Sequence, residues 1–386
     1  MEKKYNMFVI PAVPLQNVQI LKDRIVIPYV CYKHFGKSLT ILTKKKEEYP
    51  YASFLKGAVI QELDCDTEQD HMTACVEYVF QNSWKVDVLF LFGAYIQYIP
   101  LVYLYKQLRP DGIIYLKLDA NSSWVNAFPM DNPEYKRFIY SCDIVSCEAV
   151  KLQRLLCKKW RRRVEYIPNG IYFPLYERQQ STVEYSKKEN VILTVGRLGS
   201  AQKNTEMLVL AFALACRELK DRWTLSLVGS VTDEFKDWLF EFESKNPQLS
   251  GFISLEGRID NKDALYSQYK KAKVFALTSV LEGGSPNVYA EAAYFGCTVV
   301  TTDIDAASDM TDGGRIGEIV PQGNTAEYAK ALVRLCNDEE RLYQESVLIR
   351  QYIKDFFDYD KIAERLKLLV QLYGNGEMTE EDSFGN

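Results

Sequence analysis

Histidine is scarce in this 386-residue sequence, and clustered metal ligands are missing. The chain has only two histidines, His34 and His71, and its nine cysteines include no CxxC pair. Zinc sites need such ligands at short spacing, so no metal site is predicted and histidine-based catalysis is disfavoured. Scattered single cysteines are typical of proteins from a reducing compartment. We therefore expect neither a metal nor another cofactor.

The sequence also lacks the signals that direct a chain into or through a membrane. The N-terminal stretch MEKKYNMFVIPAV does not combine a basic region, a long apolar run and a small-residue cleavage site, so no secretory signal is predicted. Residues 88–105 carry no charge, but Gly93, Gln97 and Pro100 interrupt them. We interpret them as a buried strand, a loop and a helix from near Ile99, and not as a membrane span. The predicted location is cytoplasmic.

Charge is unevenly distributed along the chain, although the net charge is only −5. Residues 1–180 contain 24 Lys/Arg and 19 Asp/Glu, which gives +5, and the remainder contains 23 and 33, which gives −10. A basic first half favours an anionic partner such as a membrane surface, and ordinary surface variation explains it equally well. The basic residues form no recognisable nucleic-acid-binding module, so no nucleic-acid partner is predicted.

Short apolar segments alternate with helical patterns from end to end, which indicates parallel α/β layers. A polar segment near residues 175–190 interrupts the alternation and is the predicted linker. The simplest arrangement is two α/β domains of similar size that face each other across a cleft. The predicted parts are a first domain, a second domain, a helix that crosses back to the first domain and a disordered tail: residues 1–178, 188–355, 356–373 and 374–386.

Candidate binding residues follow successive predicted strands of the second domain, where open α/β sheets bind ligands. Gly196 and Arg197 come directly after the strand VILTV, and Lys203 lies a few residues further on. Arg258 and Ile259 follow the strand FISLEG. A pair of basic residues alone is usually a solvated surface, so this prediction depends on the next motif along the chain.

The stretch LEGGSPNVYAEAAYFGCTVVTTD places a glycine-rich loop between Glu282 and a helix that contains Glu291. Pro286 fits the first turn of that helix, where unpaired N–H groups and the helix dipole attract phosphate oxygens. The two glycines of the loop let a ligand approach the backbone closely. Cations and a helix N-terminus suit a diphosphate, and carboxylates accept hydrogen bonds from sugar hydroxyls.

Together these segments resemble glycosyltransferase family 4. VGRLGSAQKN is similar to the family's Gly-Arg…Lys segment, and LEGGSPNVYAEAAYFGCTVVTTD is similar to its paired-glutamate segment. YSCDIVSCEA and RVEYIPNGI resemble the last strands of the family's first domain. The resemblance covers the second domain and the end of the first. It implies the GT-B fold, in which two Rossmann-like domains face each other across a cleft.

The resemblance also implies an activity: metal-independent transfer, with retention, of a hexose-type sugar from a nucleotide diphosphate donor, with a UDP-sugar favoured. Arg197 and Lys203 would stabilise the departing diphosphate. Glu282 would bind the donor sugar, and Glu291 would bind the ribose hydroxyls. The other donor-binding residues that it implies are Gly196, Arg258, Ile259, Gly283, Gly284, Ser285, Pro286, Asn287 and Val288.

The sequence departs from the family pattern in three places. Eight residues separate Glu282 from Glu291, one more than is common in the family. The turn after the first strand contains no glycine, and Lys-Asp at residues 22–23 resembles a subgroup that uses this pair there. A histidine that the family often has in the first domain is replaced in YLKLDANSSW by Asp119 and Asn121. Asp119 would then contact the reacting face of the sugar, and an Asx turn or helix cap explains the pair equally well.

The acceptor is expected on the first domain, where CKKWRRR forms a basic segment. Its candidate residues on the acceptor or membrane side are Lys158, Lys159, Trp160, Arg161, Arg162 and Arg163. This segment could contact anionic lipid head groups, or it could simply be a solvated basic surface, and the sequence does not distinguish the two. The first interpretation implies a lipid-linked saccharide acceptor, surface polysaccharide synthesis and a peripheral position on the inner face of the cell membrane.

Two other functions are compatible with the same fold. A nucleotide-sugar epimerase would need acid–base residues in the cleft, and the two histidines are poorly placed for that role. A catalytically silent partner that binds or activates another transferase would tolerate the extra residue near Glu282 and the missing glycines of the first domain. Both glutamates and both cations are present, which favours the enzyme.

Overall fold

The computed structural model describes residues 3–177 and 184–374, so the predicted tail beyond residue 374 and part of the predicted linker lie outside the described residues. The chain divides into two compact units. The first unit is formed by residues 1–172 and 358–386, and the second by residues 173–357. The division falls at Tyr172, a few residues before the predicted end of the first domain, and the last helix belongs to the first unit.

The first unit contains a seven-stranded parallel sheet with the order β3-β2-β1-β4-β5-β6-β7. Its strands are β1 (Tyr5–Ile10), β2 (Gly36–Thr43), β3 (Val59–Glu62), β4 (Val88–Phe92), β5 (Ile113–Lys117), β6 (Ile144–Cys147) and β7 (Glu165–Tyr166). Its helices are α1 (Asp23–Phe35), α2 (His71–Asn82), α3 (Tyr98–Leu108), α4 (Ser122–Ala127), α5 (Pro133–Ser141), α6 (Val150–Trp160) and the C-terminal α15 (Tyr359–Gly374).

The uncharged stretch at residues 88–105 is divided between a strand and a helix, as predicted. All five residues of β4 are buried, because parallel strands with helices on both faces have no exposed side. Helix α3 begins at Tyr98, one residue before the predicted position. In the described part of the chain, every helix is too short or too polar to cross a membrane.

The second unit contains a six-stranded sheet with the order β10-β9-β8-β11-β12-β13. Its strands are β8 (Glu189–Val195), β9 (Thr224–Val228), β10 (Ile253–Gly257), β11 (Ala272–Leu277), β12 (Thr298–Thr302) and β13 (Glu318–Val320). Its helices are α7 (Phe173–Glu177), α8 (Thr205–Ala215), α9 (Asp233–Lys245), α10 (Lys262–Lys271), α11 (Asn287–Tyr294), α12 (Ala307–Met310), α13 (Thr325–Cys336) and α14 (Glu339–Phe356).

Each sheet has one point at which the strand order reverses. In the first sheet it lies between β1 and β4, and in the second it lies between β8 and β11. All of the paired strands around these points are parallel. The loops that follow the two strands therefore diverge at the carboxyl edge and leave a crevice, which is where open α/β sheets bind ligands.

Candidate functional site

The loops after β8 and β11 are joined at the switch point of the second sheet. The hydroxyl of Thr278 donates to the carbonyl oxygens of Lys203 and Asn204, both at 3.0 Å. The backbone N–H of Val280 donates to the carbonyl oxygen of Gln202 at 2.9 Å. These bonds fix the predicted cation loop against the start of the predicted glutamate loop.

The side chains of Lys203 and Glu282 meet between these loops. The Lys203 ammonium donates to the Glu282 carboxylate, and the two side chains are only 16% and 9% exposed. The Ser279 hydroxyl also donates to Glu282, and the Gln202 amide donates to it at 3.4 Å. Arg197 donates in turn to the side-chain oxygen of Gln202. Three predicted residues thus form one network through Gln202 and Ser279, which the sequence analysis missed.

Gly196 lies in close contact with the end of β9. Its N–H donates to the carbonyl oxygen of Val228 at 3.0 Å. Gly229, which follows Val228, has a φ of 141°, and a Cβ there would lie 1.7 Å from the Gly196 carbonyl oxygen. Only glycine fits at position 229 without moving the loop that carries Arg197.

The glycine-rich loop leads directly into α11. Gly284 has a φ of 63°, in the left-handed region that glycine adopts without strain, and Pro286 is the residue before the first helical position. The N–H groups at the start of α11 have no acceptor within the helix, and they carry its positive dipole end. The buried or half-buried residues of this segment are Gly283, Gly284, Ser285, Pro286, Asn287 and Val288.

Glu291 is held from two sides in the middle of α11. Lys262 donates to one carboxylate oxygen at 3.0 Å, and the Tyr269 hydroxyl donates to the other at 3.1 Å. Burial and the charge of Glu291 raise the pKa of Tyr269, so this hydroxyl stays protonated and continues to donate. Lys262 and Tyr269 were also missed, because no local pattern relates either residue to Glu291.

The loop that follows β10 approaches α11 through the Lys262–Glu291 pair. Ile259 is half-buried, and this position is compatible with its predicted place near a base. The Arg258 side chain is 65% exposed and pairs with Asp260 at 2.7 Å, so its guanidinium is not part of the Lys203–Glu282 network.

In the first unit, Asp119 and Asn121 have different environments. Asp119 follows β5 with a φ of 53°, its side chain is 41% exposed, and the nearest guanidinium nitrogen of Arg24 is 4.0 Å away. Asn121 precedes α4, and its side-chain oxygen accepts the N–H of Trp124 at 2.9 Å. Asn121 is therefore a helix cap, the structural alternative considered for it, whereas Asp119 reaches the surface.

A cavity of about 210 Å³ lies at the switch point of the first sheet. The loops after β1 and β4 form most of it, and its polar side chains are Arg24, Gln97, Tyr95 and Tyr98, among mainly apolar ones. The Arg24 Nε is buried and has no hydrogen-bond partner in the described part of the chain. Other lining residues are Val9, Pro11, Ala12, Val13, Ile25 and Phe92.

The basic segment at the end of α6 is only partly a surface. Trp160 is 2% exposed and packs against the Trp124 and Phe128 rings, with centroids 6.2 and 5.1 Å away. Arg162 is 8% exposed because its guanidinium donates to buried backbone carbonyl oxygens, among them that of Cys142 at 2.9 Å. Trp160 and Arg162 were predicted on the acceptor or membrane side, but both are buried and cannot contact a membrane surface as placed.

The remaining basic residues of the segment do reach solvent. Lys158, Lys159 and Arg161 are exposed, and Lys159 donates to the Asn126 side chain at 2.9 Å. Arg163 is half-buried and pairs with Glu165. Three of the five cations in CKKWRRR are therefore exposed.

Within residues 3–177 and 184–374, no group of three or more histidine, cysteine, aspartate or glutamate side chains is arranged to hold a metal ion. The charged groups at the switch point of the second sheet are one carboxylate and two basic side chains, connected by hydrogen bonds. Such a set can bind an anion and hold a hydroxylated ligand beside it.

Comparison with known families gives the class of this domain. Residues 189–338 match the family described as "Glycosyl transferases group 1". The matched region begins at β8 and ends just before α14, so it contains the whole second sheet and the network around Lys203 and Glu282. Residues 189–338 are thus similar to group 1 glycosyltransferases, and the predicted resemblance to glycosyltransferases is confirmed.

Two curated relatives are also glycosyltransferases. A GalNAc-alpha-(1->4)-GalNAc-alpha-(1->3)-diNAcBac-PP-undecaprenol alpha-1,4-N-acetyl-D-galactosaminyltransferase of Campylobacter jejuni is 27% identical over 245 residues, which is 62% of this chain and 65% of that protein. A phosphatidyl-myo-inositol mannosyltransferase of Mycobacterium leprae is 25% identical over 173 residues, which is 45% of this chain and 44% of that protein. The chain thus spans less than two thirds of the length of each relative.

Solved structures extend the similarity to almost the whole chain at the level of the fold. Anabaena Alr3699/HepE, determined in complex with UDP, superposes with a TM-score of 0.70 at 16% identity, covering 96% of this chain and 100% of that one. Because the identity is low, this likeness concerns the fold alone. The protein has the GT-B fold with two parallel-sheet α/β units, as the sequence predicted.

Proposed function

We propose that this protein is a retaining, metal-independent glycosyltransferase. It would move a hexose-type sugar from a nucleotide diphosphate donor, with a UDP-sugar favoured, to a glycan or lipid-linked saccharide acceptor in surface polysaccharide synthesis. The observation that carries the proposal is the network of Arg197, Gln202, Lys203 and Glu282 at the switch point of a domain similar to group 1 glycosyltransferases. The Anabaena structure with a similar fold was determined in complex with UDP, which supports uracil as the base of the donor nucleotide.

The proposed chemistry follows from where negative charge develops. When the bond between the sugar and the diphosphate breaks, charge builds on the leaving phosphate oxygens. Lys203, Arg197 and the N–H groups at the start of α11 would stabilise that charge, at about 3 kcal/mol for one well-placed donor. The leaving phosphate itself would take the acceptor proton, so no side chain has to act as a covalent nucleophile.

The two glutamates would fix the parts of the donor that do not react. Glu282 would accept hydrogen bonds from the sugar hydroxyls, and Ser279 and Gln202 restrain its carboxylate for that purpose. Glu291 would accept hydrogen bonds from the ribose, because its two oxygens have lone pairs beyond those used by Lys262 and Tyr269. In the first unit, Asp119 would contact the reacting face of the sugar.

The acceptor would bind to the first unit, at the cavity beside Arg24. A saccharide fits a site in which a few polar groups stand among apolar and aromatic side chains. The Campylobacter jejuni relative is named for a lipid-linked saccharide acceptor, which supports an acceptor of the same kind. Lys158, Lys159 and Arg161 would then provide peripheral contact with an anionic membrane at the inner face of the cell membrane.

The proposal is tested by slow nucleotide release without acceptor from UDP-, GDP-, ADP- and dTDP-sugars. We expect one donor to be hydrolysed, with release reduced about a hundredfold or more in Arg197→Ala. Arg315→Ala is the matched control, because Arg315 is 78% exposed and pairs only with the nearby Asp312 among the ion pairs of the described chain. Equal turnover by Arg197→Ala and the wild type would contradict the assigned role.

A catalytically silent partner gives a different result in the same screen. It would release no nucleotide from any donor, and a silent partner that lacks the nucleotide site would also show no rise in melting temperature with any nucleotide. Glu291→Ala tests nucleotide binding directly, because Glu291 is proposed to hold the ribose. This variant should weaken UDP binding measured by calorimetry and should also reduce nucleotide release from the donor. Binding of UDP without release of any donor would favour a silent nucleotide-binding partner.

A further inference from the structure

Lys117, at the end of β5, is a fully buried charged residue that the function proposed above does not use. Its side chain and that of Glu148 are both 0% exposed. The ammonium donates to Glu148 at 2.7 Å and to the Asn169 side chain at 2.7 Å, and it lies 3.2 Å from Asp23. A lysine ammonium has three protons, so these three oxygens satisfy it completely.

A gain in stability is a weak explanation for this buried network. Taking charges out of water costs much of what their attraction returns, and an apolar pair of similar volume often stabilises a fold equally well. Burial alone would lower the pKa of Lys117, but the carboxylates of Glu148 and Asp23 outweigh that effect and raise it. The lysine is therefore charged, and its charge holds two carboxylates in place at the carboxyl edge of the first sheet.

Glu148 connects this network to the backbone at Asp119. Its carboxylate accepts the N–H of Asp119 at 3.0 Å and the N–H of Ala120 at 3.4 Å. Asp119 has a φ of 53°, which is strained for a residue other than glycine and needs support from its surroundings. The two N–H···carboxylate bonds supply that support, and Lys117 fixes the carboxylate that accepts them.

We propose that Lys117 and Glu148 are positioning residues that present the Asp119 carboxylate to the donor sugar. This inference rests on the glycosyltransferase function proposed above and adds two residues to it. The network holds Asp119 through its backbone N–H, and the carboxylate lies part-exposed at the carboxyl end of β5, 4.0 Å from the Arg24 guanidinium. Asp23 and Asn169 complete the network by fixing Lys117.

Four charged groups surround the Asp119 carboxyl group and determine how it titrates. Partial removal of the carboxyl group from water raises the pKa of Asp119, and the negative charges of Glu148 and Asp23 add to this effect. The positive charges of Lys117 and Arg24 oppose the rise, and the resulting pKa is about 6. Asp119 is therefore ionised above about pH 6 and becomes protonated as the pH falls below it. An ionised Asp119 can only accept hydrogen bonds, as contact with sugar hydroxyls requires.

Two substitutions at Glu148 separate its charge from its reach. Glu148→Gln keeps the length and removes the charge, so we expect the acid limb of the kcat–pH profile to move to lower pH. Glu148→Asp keeps the charge and shortens the side chain, so we expect the limb to stay near about pH 6. Both should lower kcat at neutral pH about ten- to a hundredfold, because Asp119 loses its fixed position.

Controls and a second readout keep this test independent of the proposed function. Glu345→Gln alters another buried glutamate, which accepts from Arg341 at 2.7 Å in the second unit, and it should leave the pH profile unchanged. The Asp119 carboxyl carbon, assigned with Asp119→Asn, can be titrated by NMR in the wild type and in Glu148→Gln. This measurement needs no turnover, and the titration midpoint of Asp119 should move to lower pH in Glu148→Gln.

The outcomes are distinct. If no donor is turned over by the wild type, the proposed function fails, and the NMR titration still decides whether Glu148 controls Asp119. If the wild type is active but both Glu148 variants keep its kcat and pH profile, the positioning role is overturned. An unchanged NMR titration in Glu148→Gln also overturns it. Should Glu148→Gln not fold by circular dichroism, the kcat of Glu148→Asp decides.

Discussion

At the scale of single residues, the contact between Lys203 and Glu282 has a structural and a chemical side. The ammonium is the cation proposed to face the leaving diphosphate, and the carboxylate is the group proposed to hold the sugar. Both side chains are more than four-fifths buried, so each also depends on the other for compensation of its charge. Substitution of either residue therefore changes stability as well as activity, and the two effects must be measured separately.

A double-mutant cycle separates them. Lys203→Met should cost about 2 kcal/mol of unfolding free energy, because Glu282 loses its cation while Ser279 and Gln202 still donate to it. It should also reduce kcat about a hundred- to a thousandfold. Adding Glu282→Gln should restore most of the stability and none of the activity. Urea unfolding and donor turnover measure the two quantities.

The control for this cycle is Lys236→Met, which removes an exposed lysine paired with Asp233 at 2.8 Å on the surface of α9. It should change the unfolding free energy by less than about 0.5 kcal/mol and leave turnover unchanged. If the double variant regained activity together with stability, Lys203 would be a structural partner of Glu282 and not a group that stabilises the leaving diphosphate.

Residue-scale contacts are also where sequence reasoning reached its limit. Arg197, Lys203, Glu282 and Glu291 could be predicted as candidate site residues because they stand at strand ends or in one continuous motif. The partners of Lys117 could not be identified, because Glu148 and Asn169 are 31 and 52 residues away along the chain. Nothing in GIIYLKLD distinguishes a lysine buried at a strand end from one that reaches solvent.

At the scale of elements, the apolar runs were sufficient to place most strands. Apolar segments of the sequence predicted β1, β2, β4, β5, β6 and the six strands of the second sheet. The signal is clearest for β4, β5, β6, β11 and β12, which are buried throughout, whereas β10 has no fully buried residue. Strand β7 lies within RVEYIPNGI, which was identified only by its resemblance to the family's first domain, and strand β3 was not predicted. Strand β3 lies at the sheet edge with no fully buried residue, and β7 has only two residues.

Two glycines at the ends of neighbouring strands offer a test of how the second sheet positions its loops. Gly229→Ala places a Cβ 1.7 Å from the Gly196 carbonyl oxygen, so the ends of β8 and β9 must separate. We expect it to cost about 3 kcal/mol or more and to weaken UDP binding, because the loop with Arg197 moves. Urea unfolding and calorimetry with UDP provide the measurements.

Gly257→Ala is the comparison. Gly257 also has a positive φ, of 70°, but a Cβ there would have no neighbour within 4 Å. Its cost should be that of the backbone conformation alone, about 1–2 kcal/mol, with UDP binding retained. Equal losses of stability and binding in the two variants would mean that backbone strain, and not the close approach of the two strand ends, accounts for the effect at position 229.

At the scale of the whole molecule, the two units differ in how the chain builds them. The second unit is one continuous segment, residues 173–357, with its own sheet and core. The first unit is discontinuous, because α15 returns to it from the C-terminal end of the chain. Leu366 and Val370 of this helix are each 1% exposed. The first unit therefore includes residues that follow the second unit, whereas the second unit is continuous in sequence.

This difference predicts what a fragment can do. Residues 173–357 expressed alone should fold and bind UDP with an affinity close to that of the whole chain, because the proposed diphosphate and ribose contacts all come from this segment. The fragment should transfer no sugar, since Asp119 and the proposed acceptor cavity belong to the first unit. Circular dichroism and calorimetry with UDP measure folding and binding, and Lys203→Met in the fragment is the control that should weaken binding. A folded fragment without affinity for UDP, beside a whole chain that binds it, would mean that the donor site needs residues of the first unit.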